Sequence, residues 1–182
     1  MGVVVLNTPQ TLEQFLASIE QRAYRMAFIA TGNREDALDI VQDAMIKLVT
    51  KYASKGADEW PPLFNRIMQS TIRDWYRRSK IRNGLRHLFN WQDNDDDPIE
   101  NLPDSREVTP EREVDNQQDI RALDRALQGL SLRQQQVFLL RAWEGMDVKQ
   151  TAKAMGCSEG SVKTHYSRAI QALRDQLEGF EP

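Results

Sequence analysis

Three carboxylates, Asp36, Asp39 and Asp43, recur at i, i+3 and i+7. On a helix that spacing puts them on one face. Such a row could hold a divalent cation, supply a general acid or dock a basic partner. The first two uses need more ligands or a proton relay. The chain has only His87 and His165, no Glu-x-x-His pair and no glycine-rich phosphate loop. A metal-dependent hydrolase built on these aspartates is therefore remote. With Gln42 and Ile46 beside it, the row fits a docking surface for a basic protein partner better. No catalytic residue, metal, cofactor or small-molecule substrate is expected. Cys157 is the sole cysteine; it reads as a small turn residue, and the lack of a disulfide suits a reducing cytoplasm.

Cations are grouped as well. Arg66, Arg73, Arg77 and Lys80 stand at i, i+7, i+11 and i+14. At about 100° per residue they fall within about 40° of one meridian. Gln69, Ser70 and Tyr76 flank them, and only Asp74 breaks the sign. A cationic stripe edged by an aromatic suits a nucleic-acid backbone, with Tyr76 available to stack on an unpaired base.

The third constellation lies near the C-terminus. A short helix, a turn at Gly156-Cys157-Ser158 and a longer helix from Glu159 make a helix-turn-helix, whose second helix can enter a major groove. Val162, Tyr166, Ala169, Leu173 and Leu177 point inward. Gly160, Lys163, Thr164, Ser167, Gln171 and Arg174 point outward, and they are short near the N-terminal end, as close approach to phosphates and base edges requires. Ser161 and Arg168 complete the candidate set of Gly160, Ser161, Lys163, Thr164, Ser167 and Arg168.

The elements that must position these groups are helical throughout. Leu12, Phe15, Leu16, Ile19, Ala23, Met26, Ala27 and Ala30 keep the 3.6 period over about 11–30, with Thr11 and Gln14 spaced for a capping box and Gly32 at the C-cap. Asn33 caps a second helix over about 34–52, with Ala37, Ile40, Val41, Ala44, Met45 and Leu48 inside. A third begins near Pro61-Pro62 and runs to about Arg82, with Phe64, Ile67, Met68, Thr71, Ile72 and Trp75 as its core face. Periodicity resumes near Ile120 with Leu123, Leu127 and Leu130. Ser131 and Gln134 form a capping box before a helix carrying Val137, Phe138, Leu140 and Ala142, closed at Glu144-Gly145. Helices at about 148–155 and 159–178 follow. No strand pattern competes.

The net charge of −3 hides a partition. Residues 1–90 carry thirteen basic and nine acidic side chains, residues 91–119 two and eleven, and residues 120–182 nine and seven. Two mildly basic blocks are thus joined by an acidic, proline-bearing stretch read as a flexible linker. The expected class is all-α, with two small helical domains at 8–90 and 119–182 and a linker at 91–118. No run of about 18 apolar residues suggests membrane insertion.

Together these residues resemble the extracytoplasmic-function group of bacterial RNA polymerase sigma factors. Asp36-Ala37-Leu38-Asp39-Ile40-Val41-Gln42-Asp43 is similar to that family's region 2.2. Leu63–Ile67 and Asp74–Arg78 resemble regions 2.3 and 2.4. Leu130–Phe138 and Gly156–Thr164 resemble region 4. The resemblance implies that Asp36, Asp39, Gln42 and Asp43 grip the β′ coiled coil of core RNA polymerase, and that the second domain meets the β flap. It implies that the loop Ser54–Trp60, with Arg66, Arg73, Tyr76, Arg77 and Lys80, captures melted −10 promoter DNA. It implies that Gly160, Ser161, Lys163, Thr164, Ser167 and Arg168 read the −35 duplex, and that an anti-sigma factor is a partner. The family's Glu-Ile-Ala is Gln150-Thr151-Ala152 here, and its Lys-Ser-Arg is Lys163-Thr164-His165. Trp60-Pro61-Pro62 replaces the usual Phe-x-x-Trp-Leu of the −10 loop.

Overall fold

The computed structural model describes residues 11–84 and 117–177, all helices and tight turns. α1 (Leu12–Thr31) starts at Thr11, whose hydroxyl accepts from the Gln14 N–H at 3.2 Å. It stops at Gly32, whose φ of 65° is the left-handed cap glycine tolerates best. α2 (Arg34–Tyr52) follows at once, because the Asn33 side chain accepts from Glu35 and Asp36 at 2.8 and 3.1 Å. α3 spans Trp60–Gly84. Its start is fixed by Trp60, which is buried, donates from Nε1 to the Tyr52 carbonyl at 3.3 Å and packs on Phe15. Ile29, Leu48, Met68 and Ile72 are fully enclosed in the core these helices share. Each such side chain contributes about 1.5–3 kcal/mol of burial.

The second half holds α4 (Gln117–Gln128), α5 (Leu132–Phe138), α6 (Val148–Met155) and α7 (Glu159–Leu177). The Ser131–Gln134 capping box forms as the sequence predicts. The helix expected to run on to Ala142 instead widens into a π-helical turn over Leu139–Trp143. Leu123, expected on an inner face, is 37 % exposed, one of the more exposed large apolar side chains. The linker expected at 91–118 lies outside the described residues except for Gln117 and Gln118, which already belong to α4. The outer parts of both expected domains, 8–10, 85–90 and 178–182, also lie outside.

The two helical halves pack directly on each other in this fold. One core runs from α1–α3 into Ala126, Leu127, Leu130, Leu132, Leu139, Ala169 and Leu173. A smaller core of Val137, Leu140, Met146, Ala152, Ala154, Met155 and Val162 supports the helix-turn-helix.

Candidate nucleic-acid interface

α6 and α7 are set by their caps. Asp147 accepts from the Gln150 N–H at 2.7 Å, and Gln150 returns the contact to the Asp147 N–H at 2.9 Å. Gly156 ends α6 at φ 66°, its N–H bonded to the Ala152 carbonyl. Ser158 then caps α7 by accepting from the Ser161 N–H at 3.1 Å. Thr151, Ala152, Met155 and Val162 are buried between the two helices.

The turn leaves Gly160, Lys163, Thr164, Ser167 and Arg168 exposed and Ser161 half-buried. All six candidates therefore share the outer side of α7, with His165 buried on the other. A Cβ on Gly160 would approach only Ser158 Oγ, at 3.8 Å. The protein's own packing does not demand a glycine there, and the space it leaves faces outward. Short hydroxyls, one glycine and two cations form a surface able to meet phosphates and base edges closely.

The stripe on α3 is divided. Arg66 and Arg77 are exposed, and Lys80 is half-buried with its Nζ over the Tyr76 ring at 4.9 Å. Arg73 turns toward the second half, where its Nη1 donates to the Met155 carbonyl at 2.5 Å. Arg133 donates to the same oxygen at 3.4 Å. Burial, then the Arg133 and Arg77 guanidiniums, lower the Arg73 pKa from the usual arginine value. Tyr76 corrects the expectation of a ring poised at the edge of the stripe: it is 9 % exposed and belongs to the core. Gln69, expected to flank the stripe, is fully buried. Gln69 donates to Met26 Sδ of α1 at 3.0 Å and its carbonyl accepts from Gln136 of α5, while Tyr76 packs in the core that α1–α3 share with the second half. The loop Ser54–Trp60 is exposed except for half-buried Ala57 and buried Trp60.

On α2, Asp39, Gln42 and Asp43 are exposed and Asp36 is half-buried. They rim a cleft of about 550 Å³ with Ile40, Ile46, Trp75 and Arg78. Ile46 is 59 % exposed. Trp75 Nε1 is buried without a hydrogen-bond partner. The cleft combines a carboxylate rim with an apolar wall, which suits a basic amphipathic helix. Among the described residues no group of three His, Cys, Asp or Glu side chains could hold a metal. No described helix is long and apolar enough to cross a membrane.

Sequence reasoning missed the contacts between the halves. Arg25 pairs with Asp124 at 3.0 Å and lies over the Trp143 ring at 5.3 Å. Gln136 Nε2 donates to the Gln69 carbonyl at 3.3 Å. Asn65 Nδ2 lies 3.9 Å from Met146 Sδ. The available signal was the i, i+4, i+8 row Asn65, Gln69, Arg73, a second α3 face that is polar and yet covered.

Comparison with known proteins agrees with this geometry. A family model described as Sigma-70, region 4 matches residues 120–173. An RNA polymerase sigma-E factor of Streptomyces antibioticus is 30 % identical over 144 residues, covering 79 % of this chain and 71 % of the relative. The ECF RNA polymerase sigma factor SigX of Bacillus subtilis (strain 168) is 26 % identical over 171 residues, covering 93 % and 84 %. The fold is similar to that of the sigma factor RpoE of Bartonella quintana, solved in complex with the anti-sigma factor NepR. That match has a TM-score of 0.66 at 21 % identity and covers 93 % of this chain and 98 % of the other.

Proposed function

The chain belongs to the extracytoplasmic-function RNA polymerase sigma factors, and from that premise we propose how its surfaces divide the work of promoter recognition. The outer side of α7, with Gly160, Ser161, Lys163, Thr164, Ser167 and Arg168, reads the −35 element as duplex. Lys163 and Arg168 neutralise phosphates, while the short side chains admit the groove edge. Arg66, Arg73, Arg77 and Lys80 on α3 hold the backbone of the opened −10 strand. Because Tyr76 is in the core, base stacking there is carried by another ring or requires Tyr76 to swing out.

The carboxylate cleft of α2 anchors core RNA polymerase. Asp36, Asp39 and Asp43 attract a cationic helix such as the β′ coiled coil, and Ile46 and Trp75 supply the apolar contact. The second half meets the β flap. The work is binding: it offsets an unpairing cost of a few kcal/mol, and no bond is made or broken by this chain. It acts with the polymerase in the cytoplasm, and an anti-sigma protein is a fitting regulator.

The observation that carries this reading is the coexistence of an outward short-and-cationic α7 face with an acidic, apolar-walled cleft on one chain. A simple operator-binding regulator would need the first alone. Run-off transcription with core polymerase over a genomic fragment library tests it. Defined transcripts that depend on added protein are expected. Core enzyme that neither binds the chain nor changes its output would overturn it.

A further inference from the structure

We infer that the cavity between α1, the start of α3 and the turn after the π-helical segment is a binding site for a free amino acid with a large apolar side chain. Its two charged groups, Arg22 and Glu144, belong to none of the surfaces assigned above to DNA or polymerase.

The cavity measures about 220 Å³. Its floor is apolar: Phe15, Ile19 and Met26 from α1 meet Phe64 and Met68 from α3, and all five are buried. Phe15, Ile19 and Met26 recur at i, i+4 and i+11, which puts them on one face of α1, and Phe64 and Met68 are one turn apart on α3. Size limits the occupant. An apolar cavity of about 150 Å³ holds a benzene-sized molecule, so this one admits a leucine, methionine or phenylalanine side chain with the amino-acid backbone at the mouth. Nucleotides and other ligands that fill pockets of about 300–1,000 Å³ are too large. Water alone is a poor occupant, because it needs about two to four polar partners and the five side chains of the floor carry no nitrogen or oxygen.

The mouth supplies the polar groups. Arg22 on α1 is exposed, while Asn65 on α3 and Glu144 are half-buried. Glu144 sits on a fixed turn: its N–H donates to the Leu139 carbonyl at 3.0 Å, and the Met146 N–H to the Leu140 carbonyl at 3.0 Å. Asn65 Nδ2 is held beside that turn, 3.9 Å from Met146 Sδ. Arg22 and Glu144 line one cavity, yet among the described residues they make no ion pair with each other or with a third group. Opposite charges that face one cavity and stay apart suit a zwitterion set between them. The α-carboxylate then pairs with the Arg22 guanidinium and the α-ammonium with the Glu144 carboxylate, each through a charge-assisted hydrogen bond. A fatty acid would bring its carboxylate against Glu144, and a simple amine its charge against Arg22. A residue inside a peptide carries neither charge. The free amino acid is the class that satisfies both ends and the apolar floor.

The test titrates the full chain with L-leucine, L-methionine and L-phenylalanine, followed by calorimetry and by melting temperature. At least one should bind one-to-one and saturate at concentrations on the order of 1 mM or below, as suits a ligand of few atoms, and the melting temperature should rise with its concentration. Glycine, which lacks the apolar side chain, should bind about tenfold more weakly or worse. The amide of the tightest binder lacks the carboxylate and its N-acetyl form lacks the ammonium, and each should lose about tenfold in affinity. Arg22→Gln should weaken the amino acid about tenfold and leave the amide unchanged. Glu144→Gln should weaken the amino acid to the same extent and leave the N-acetyl form unchanged. A merely structural role of either residue would not produce that pairing of variant with analogue. No saturable binding of any of the three amino acids at about ten times that concentration would overturn the site. Uncharged isoamyl alcohol binding as tightly as the amino acid, with both indifferent to the two variants, would overturn the zwitterion assignment.

Discussion

Gln136 reaches across the molecule to Gln69: its Nε2 donates to the Gln69 backbone carbonyl at 3.3 Å, while the side-chain Oε1 of each residue is buried without a partner. The Gln69 side-chain amide donates separately to Met26 Sδ at 3.0 Å, so each amide makes one donor contact and leaves its oxygen unpaired. A buried unpaired acceptor costs about 1–3 kcal/mol, and a satisfied neutral bond contributes about 1. Gln136→Met, which keeps length and removes both polar atoms, should leave the fold unchanged or up to about 1 kcal/mol more stable. Urea denaturation checks the stability, and a loss above about 2 kcal/mol would contradict this account of the Gln136–Gln69 contact.

Two glycines four residues apart should respond in opposite ways. Gly156 has φ 66°, so Gly156→Ala should cost about 1–2 kcal/mol from backbone strain, although the space for a methyl exists. Gly160 lies within α7 with open space before it, so Gly160→Ala should stabilise the fold by about 0.5–1 kcal/mol. It should nevertheless weaken binding to a duplex bearing the −35 element, because the methyl stands where the groove edge approaches. Melting curves and duplex titrations on both variants separate strain from contact.

Core packing gives a third expectation. Leu48 is fully enclosed by the first three helices. Leu48→Ala should cost about 2–5 kcal/mol, as large-to-alanine changes in a closed core do. Because one core links both halves, the loss should appear as a single transition for probes in α2 and α7 alike. Two well-separated transitions would show that the halves melt independently.

Cys157 provides a pH signature. Burial raises its thiol pKa, with Arg133 and Arg73 pulling the other way. The fold therefore favours the protonated thiol. That contribution is fully present below the ordinary thiol pKa and is lost as pH rises through the higher folded value. The stability advantage of the native chain over Cys157→Ser should shrink as pH is taken above the ordinary thiol range. An advantage that grows with alkalinity would reverse the assigned sign.

Salt dependence distinguishes the two proposed DNA surfaces. Arg77→Ala should lower the salt slope of open-complex formation by about one, and Lys163→Ala should do so for −35 duplex binding. Each should cost on the order of 1–3 kcal/mol of binding. A slope unchanged in either variant would remove that residue from the phosphate contacts.

Much of this was legible in the sequence because local chemistry decided it. Asn33 fixes the start of α2, Gly32 and Gly156 fix helix ends, and the short, charged outer side of α7 has no competing use. What the sequence did not reveal are the consequences of packing between residues far apart in the chain. Tyr76 and Gln69 read as surface groups because α3 was given a single narrow buried face, and α1 and α5 reach Gln69 from both halves while Tyr76 joins the shared core. Leu123 read as core by periodicity alone, yet no element covers it fully. The π-helical turn at Leu139–Trp143 carries no marker such as Pro or Gly, so an ordinary helix was the natural expectation. The carboxylate row was read as a docking surface, but Trp75 and Arg78 as its far wall needed the fold.

The central claim is that one chain binds core polymerase and reads a promoter through α7 and α3. Footprinting of core polymerase with this protein, on a promoter recovered from the run-off library, tests it most directly. The account predicts protection of the −35 duplex and permanganate-reactive thymines at −10. The first should be lost with Lys163→Ala and the second with Arg77→Ala, while polymerase association survives both. A footprint indifferent to both substitutions, or no protein-dependent footprint on any template, would contradict it.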